Sequence, residues 1–89
     1  MTNPVFQMIQ IKVKFFAVLR DATGAAEVSL QIPDQGSVDD ALQRLIVIYP
    51  AIARHVDRVA TAVNLAYVGR DYRLASGDEL ALLPPVSGG

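Results

Sequence analysis

The sequence predicts an α+β domain in which a mixed β-sheet is packed on one face by a single main helix. Three observations carry this. Apolar and polar residues alternate with period two in four separate stretches, the mark of half-buried strands. One stretch alone, from Val38 to Tyr49, has the three-and-four spacing of an amphipathic helix. The chain has 89 residues, enough for one modest core, so strands and helix must share it.

Ile9 to Phe16 reads as the first strand. Ile9, Ile11, Val13 and Phe15 fall on one face, and Gln10, Lys12, Lys14 and Phe16 on the other. Asp21-Ala-Thr-Gly24 supplies turn residues. Glu27 to Ile32 follows as a second strand, with Val28, Leu30 and Ile32 inward, and the connection is short enough for a hairpin. Pro33-Asp-Gln-Gly36 ends it. Ser37 is placed to cap the helix, and Asp40 stands where a capping-box partner would. Val38, Ala41, Leu42, Leu45 and Tyr49 form the buried stripe, widened by Ile46 and Ile48, and Pro50 stops the helix. Ala51 to His55 reads as a further helical turn. Val59 to Leu65 is a third strand, with Val59, Thr61, Val63 and Leu65 sharing a face. Tyr67 to Tyr72 forms a short strand or turn, Leu74 to Asp78 another turn, and Glu79 to Leu83 the last strand. The order is ββαβ(β)β, with the first and last strands expected side by side in the centre. The domain runs over 9–83, after an extension at 1–8 and before a tail at 84–89.

Composition narrows the function. Hydrophobic residues make up 52% of the chain and charged residues 19%, too apolar for a disordered segment. The formal net charge is −1, without the concentrated basic surface that nucleic-acid binding needs. No cysteine is present, which excludes disulfides, thiolate metal sites and thiol nucleophiles. No apolar run reaches the roughly 18–20 residues of a membrane span, and the first residues lack a signal-peptide pattern. A cytoplasmic protein with neither nucleic-acid nor membrane partners is expected.

Side-chain catalysis finds little support. His55 is the single histidine, and with Asp57 it makes no metal signature. No serine sits in a nucleophile elbow. Asp39/Asp40 and Asp78/Glu79 are sequence neighbours, which point apart on a helix or strand. An apolar outer sheet face is more informative. Phe16 lies opposite the helix-facing set, and in the last strand either Leu80 and Leu82 or Ala81 and Leu83 join it on the outer face, with no second helix to cover them, so a partner protein is the natural cover.

The residues after the last strand offer a different kind of chemistry. Pro84 and Pro85 have no backbone N–H and would end the strand and project the chain outward. Val86 and Ser87 continue it, and Gly88 and Gly89 have no Cβ, so they fit a channel too narrow for other residues. Pro84 to Gly89 could reach roughly 20 Å when extended. A carboxylate on Gly89 is a poor acyl electrophile. Activation with ATP would give an acyl-adenylate. A sulfur nucleophile displacing AMP would then give a thiocarboxylate, and an amine would give a conjugate.

Taken together, Ile11-Lys-Val-Lys-Phe-Phe-Ala17, Leu19-Arg20, Gly24, Ala62-Val63-Asn64, Leu74, Gly77-Asp78-Glu79 and Pro84-Pro85-Val86-Ser87-Gly88-Gly89 make the chain resemble the small subunits of molybdopterin synthase, a branch of the ubiquitin-like sulfur carriers. The likeness runs from about Ile9 to Gly89. It implies a β-grasp fold and a carrier that is inactive alone and binds no permanent cofactor. An adenylating enzyme, consuming ATP, and a sulfur donor system would convert the end of Gly89 to a thiocarboxylate. The tail would then enter the synthase large subunit, which holds the catalytic side chains and turns cyclic pyranopterin monophosphate into molybdopterin. Two large and two small subunits are expected in the complex. By the same resemblance, Gly89 carries sulfur, Gly88 permits insertion, and Phe16 docks, with Leu83, Pro84, Pro85, Val86 and Ser87 along the partner-binding path. Arg20 lies near the partner-facing region without an assigned role. The remaining alternatives are a sulfur carrier for thiamine or amino-acid synthesis and a ubiquitin-like modifier.

Overall fold

The computed structural model describes residues 7–85 of the chain. Five strands and two helices follow in the order β1 (Met8–Phe15), α1 (Val18–Thr23), β2 (Glu27–Pro33), α2 (Val38–Ile48), β3 (Ala60–Val63), β4 (Ala66–Tyr67) and β5 (Glu79–Leu83). Two 3-10 turns, Pro50–Ile52 and Val56–Arg58, lie between α2 and β3. The strands form one sheet in the order β2-β1-β5-β3-β4. Strand β1 pairs antiparallel with β2 and parallel with β5, so the first and last strands lie side by side in the centre, the arrangement expected from the element order. Mixed pairing follows from the connections, because α2 and the segments after it lie between β2 and the return of the chain to the sheet centre.

The inward rows are those the period-two pattern selects. Ile11, Val13 and Phe15 of β1, Leu30 and Ile32 of β2, and Leu80 and Leu82 of β5 are buried against Val38, Ala41, Leu42 and Leu45 of α2. The Phe15 ring meets Tyr49 edge to face at 5.8 Å between centroids, at an interplanar angle of 79°, a geometry that the ring quadrupoles favour. Helix α2 starts in a full capping box. The Asp40 N–H donates to Ser37 Oγ at 3.2 Å, and the Ser37 N–H donates to Asp40 Oδ2 at 2.9 Å. Gly36 is needed just before it, since a Cβ there would stand 2.9 Å from the Pro33 carbonyl oxygen.

Four local expectations are corrected. The β1–β2 connection is not a plain turn but carries α1, closed by Gly24 at φ 74° and by Thr23 Oγ1 donating to the Leu19 carbonyl at 2.9 Å. Leu19 is buried beneath this helix, which is why so short an element persists. Ile48 does not widen the buried stripe. It is half exposed, whereas Ile46 packs against the core. The helical turn expected after Pro50 divides into the two 3-10 turns, anchored by the buried side chains of Ile52 and Val56. The third strand ends at Val63, because Asn64 and Leu65 adopt φ 50° and 74° and reverse the chain into β4. Leu65 therefore leaves the strand face altogether.

Candidate functional site

The sequence directs attention to the end of β5. In the parallel register Lys14 lies opposite Ala81 and Phe15 opposite Leu82. Phe16 therefore follows β1 beside Leu83, where the chain leaves the sheet toward Pro84 and Pro85. Phe16 is 37% exposed and Leu83 half-buried, while both prolines are exposed. Immediately after Phe16, Ala17 takes φ 52° and ψ −127°, a conformation that glycine prefers. This sharp bend turns the backbone off the sheet into α1 and leaves the Phe16 ring standing between two concavities.

One concavity, of about 210 Å³, lies at the root of the tail. Phe16, Val18, Val59, Leu83, Pro84 and Pro85 supply its apolar lining, with His55 and Arg58 beside them. The other opens on the outer sheet face, where Phe16, Ala62, Leu65, Tyr67, Ala81 and Leu83 are joined by Lys14 and Glu79. A third wall of Phe16 faces Arg20 and Glu27. The structure thus brings Phe16, Leu83, Pro84 and Pro85 together. Val86, Ser87, Gly88 and Gly89 lie outside the described residues.

The outer sheet face is polar along β1, where the alternation places Gln10, Lys12 and Lys14. Lys12 Nζ lies 3.5 Å from Glu27 Oε2 across β1 and β2, and Lys14 Nζ lies 2.9 Å from Glu79 Oε2 across β1 and β5. The apolar patch is confined to the β5–β3–β4 half and to Phe16. A hydrogen bond to the Glu79 carboxylate, and its charge, hold the Lys14 ammonium above the usual lysine range. The patch therefore has an apolar centre with the Lys14–Glu79 ion pair at its edge.

The carboxylates that might have suggested acid–base chemistry are occupied in holding the fold. Asp40 completes the capping box. Asp39 lies 3.8 Å from the Arg70 guanidinium. Asp78 accepts from Asn64 Nδ2 at 2.9 Å and from the Ala75 N–H at 2.8 Å. Among the described residues no group of three or more His, Asp or Glu side chains converges as metal ligands would. No described helix is long and apolar enough to cross a membrane.

Sequence reading missed four contributors, in two pairs. His55 and Arg58 reach the root of the tail through the 3-10 turns, a placement that no local motif signals. Leu65 and Tyr67 enter the outer patch because a two-residue turn folds β4 back beside β3.

Comparison with known proteins gives this geometry a context. The ThiS family matches residues 13–89. A molybdopterin synthase sulfur carrier subunit of Chlamydomonas reinhardtii is 35% identical over 83 residues, covering 91% of this chain and 100% of its own length. The protein of the same name from Mycobacterium tuberculosis is 37% identical over 86 residues, covering 92% of this chain and 100% of its own. The crystal structure of small archaeal modifier protein 1 from Haloferax volcanii superposes with a TM-score of 0.82 at 30% identity. It covers 88% of this chain and 99% of that one. With the sheet order described above, this likeness makes the fold a ubiquitin-like β-grasp.

Proposed function

This chain belongs to the ThiS family, and on that premise we propose that it is the sulfur-carrier subunit of a molybdopterin synthase. The observation that carries the reading is the junction at Leu83. There a central strand runs into Pro84-Pro85-Val86-Ser87-Gly88-Gly89 directly beside an apolar, charge-rimmed surface, and the family match extends through residue 89. A tail launched from a docking surface suits a group that reacts inside another protein.

In this reading the Gly89 carboxylate attacks the α-phosphorus of ATP on an activating enzyme, releasing pyrophosphate. A sulfur nucleophile from a donor system then displaces AMP and leaves the thiocarboxylate. The loaded tail enters the large subunit, with Gly88 lacking the Cβ that would obstruct a narrow channel. Phe16, Leu83, Pro84, Pro85, Val86 and Ser87 make the path of contact. The thiocarboxylate sulfur bonds to a carbon of cyclic pyranopterin monophosphate as a carbon–oxygen bond at that carbon breaks, and water cleaves the acyl–sulfur bond to restore the Gly89 carboxylate. A second loaded carrier repeats the step at the neighbouring carbon, giving the two sulfurs of the dithiolene. The side chains for that transfer belong to the large subunit. A complex of two large and two small subunits is part of this proposal.

A second reading has its own support in the likeness to small archaeal modifier protein 1, 34% identical over 84 residues. A modifier would use the same Gly89 carboxyl but pass it to an amine. One experiment separates the two. The chain is incubated with its activating enzyme, ATP and a sulfur donor, and its intact mass is measured. A gain of about 16 Da, oxygen replaced by sulfur, is expected on the full chain and not on a chain lacking Gly89. Amine-linked conjugates without the thiocarboxylate would overturn the carrier reading in favour of the modifier. An unchanged mass with an activating enzyme of demonstrated competence would overturn both.

A further inference from the structure

The turn between β3 and β4 contains a conflict that the fold does not resolve. Val63 and Ala66 pair across a two-residue loop, and both loop residues have positive φ, 50° at Asn64 and 74° at Leu65. Loops of this type favour asparagine or aspartate followed by glycine. Asn64 obeys the preference and Leu65 does not. A leucine in the left-handed region crowds its own Cβ against the backbone, and this one is 95% exposed, so packing within the described carrier does not offset the cost.

The turn is nonetheless held firmly. The Asn64 N–H donates to the Glu79 carbonyl at 2.9 Å. Its side-chain oxygen accepts from the Glu79 N–H at 3.0 Å, and its Nδ2 donates to Asp78 Oδ1 at 2.9 Å. Three bonds thus clamp the loop to the start of β5, the strand that leads to the tail. The clamped loop presents Leu65 at the outer concavity together with Phe16, Tyr67 and Leu83. That concavity shares Phe16 and Leu83 with the root of the tail, so a protein that encloses the tail also meets this face.

We propose that Leu65 is an anchor residue for the synthase large subunit, carried in a strained turn at the expense of the free carrier's stability. The occupant of the outer concavity is an apolar patch of that subunit, with its polar surround facing the Lys14–Glu79 pair. The proposal rests on the carrier reading above and deepens it, because it names a contact that sets affinity outside the tail. Burying a leucine at an interface core is worth one to two decades of affinity, while glycine at this position removes the strain.

The test compares the full chain with Leu65→Gly and Leu65→Asn, by titration calorimetry against the purified large subunit and by thermal unfolding of each carrier alone. Asparagine tolerates the left-handed conformation, so it removes the apolar anchor without the added freedom of glycine. Both variants are expected to bind at least tenfold more weakly, with Leu65→Gly melting at or above the temperature of the wild type and both still loaded with sulfur. Wild-type binding with both variants within twofold of it would overturn this proposal and leave the carrier reading standing. A lowered melting temperature for both variants would also overturn it, by showing that Leu65 stabilises the free carrier. Self-association of the wild type that is lost in the variants, with large-subunit affinity unchanged, would assign the patch to a second copy and overturn it. A wild-type chain that does not bind the large subunit would overturn the carrier reading and this proposal together.

Discussion

Phe15 and Phe16 show how much one position decides. They are adjacent and chemically identical, yet Phe15 is buried against Tyr49 while Phe16 stands at the surface beside Leu83. Replacing Phe15 by Ala is expected to destabilise the domain by about 3–5 kcal/mol, since it leaves a cavity in the core. Replacing Phe16 by Asp is expected to move the unfolding midpoint little and to weaken large-subunit binding tenfold or more, read by denaturant titration and calorimetry. The parity of the first strand made this distinction legible in the sequence. Leu65 was not legible. Strand alternation continued through it on one face with Val59, Thr61 and Val63, because a leucine gives no sign that its backbone lies at positive φ. Lys14 and Glu79 form an exposed pair whose contribution to stability is small at any pH. The raised Lys14 pKa means that this small gain is fully present below the ordinary lysine value of 10.5 and is lost as pH rises through the higher folded value. The pair matters as a rim to the docking patch more than as a support for the fold.

At the scale of elements, strongly patterned stretches were readable and short ones were not. Helix α2 has a cap, an apolar stripe and a proline stop, and its boundaries follow from them. The box at Ser37 and Asp40 is complete, so Ser37→Ala is expected to cost about 1 kcal/mol, measured as a shift in the urea midpoint with the slope unchanged. Helix α1 has only the residues Val18–Thr23, too few for a periodicity to stand out, and it exists through the burial of Leu19 and the Gly24 cap. The 3-10 turns after Pro50 likewise depend on burying Ile52 and Val56. These elements form the wall of the tail-root concavity that contains His55 and Arg58. The part of the site built from strand ends was thus visible in the sequence, and the part built from tertiary packing of short elements was not.

At the scale of the whole molecule, the central parallel pairing of β1 and β5 joins fold to function. It puts Phe16 next to the strand that leads to Pro84 and Pro85, so in the proposed function one register builds both the docking surface and the root of the tail. A slip of one residue in that pairing would turn the inward row of β5 outward and remove Leu83 from the patch. In the proposed function the carrier supplies a surface and a reactive end, and the large subunit supplies the catalytic side chains. Consumption of the loaded carrier should therefore be stoichiometric. The most direct measurement is a single turnover of the large subunit with excess cyclic pyranopterin monophosphate and a counted amount of thiocarboxylated carrier, following molybdopterin formed and carrier mass together. The two sulfurs of the product dithiolene require two loaded carriers to return to the carboxylate form for each molybdopterin made. Product formed while the carrier keeps its sulfur, or loaded carrier that yields no molybdopterin with an active large subunit, would contradict the account.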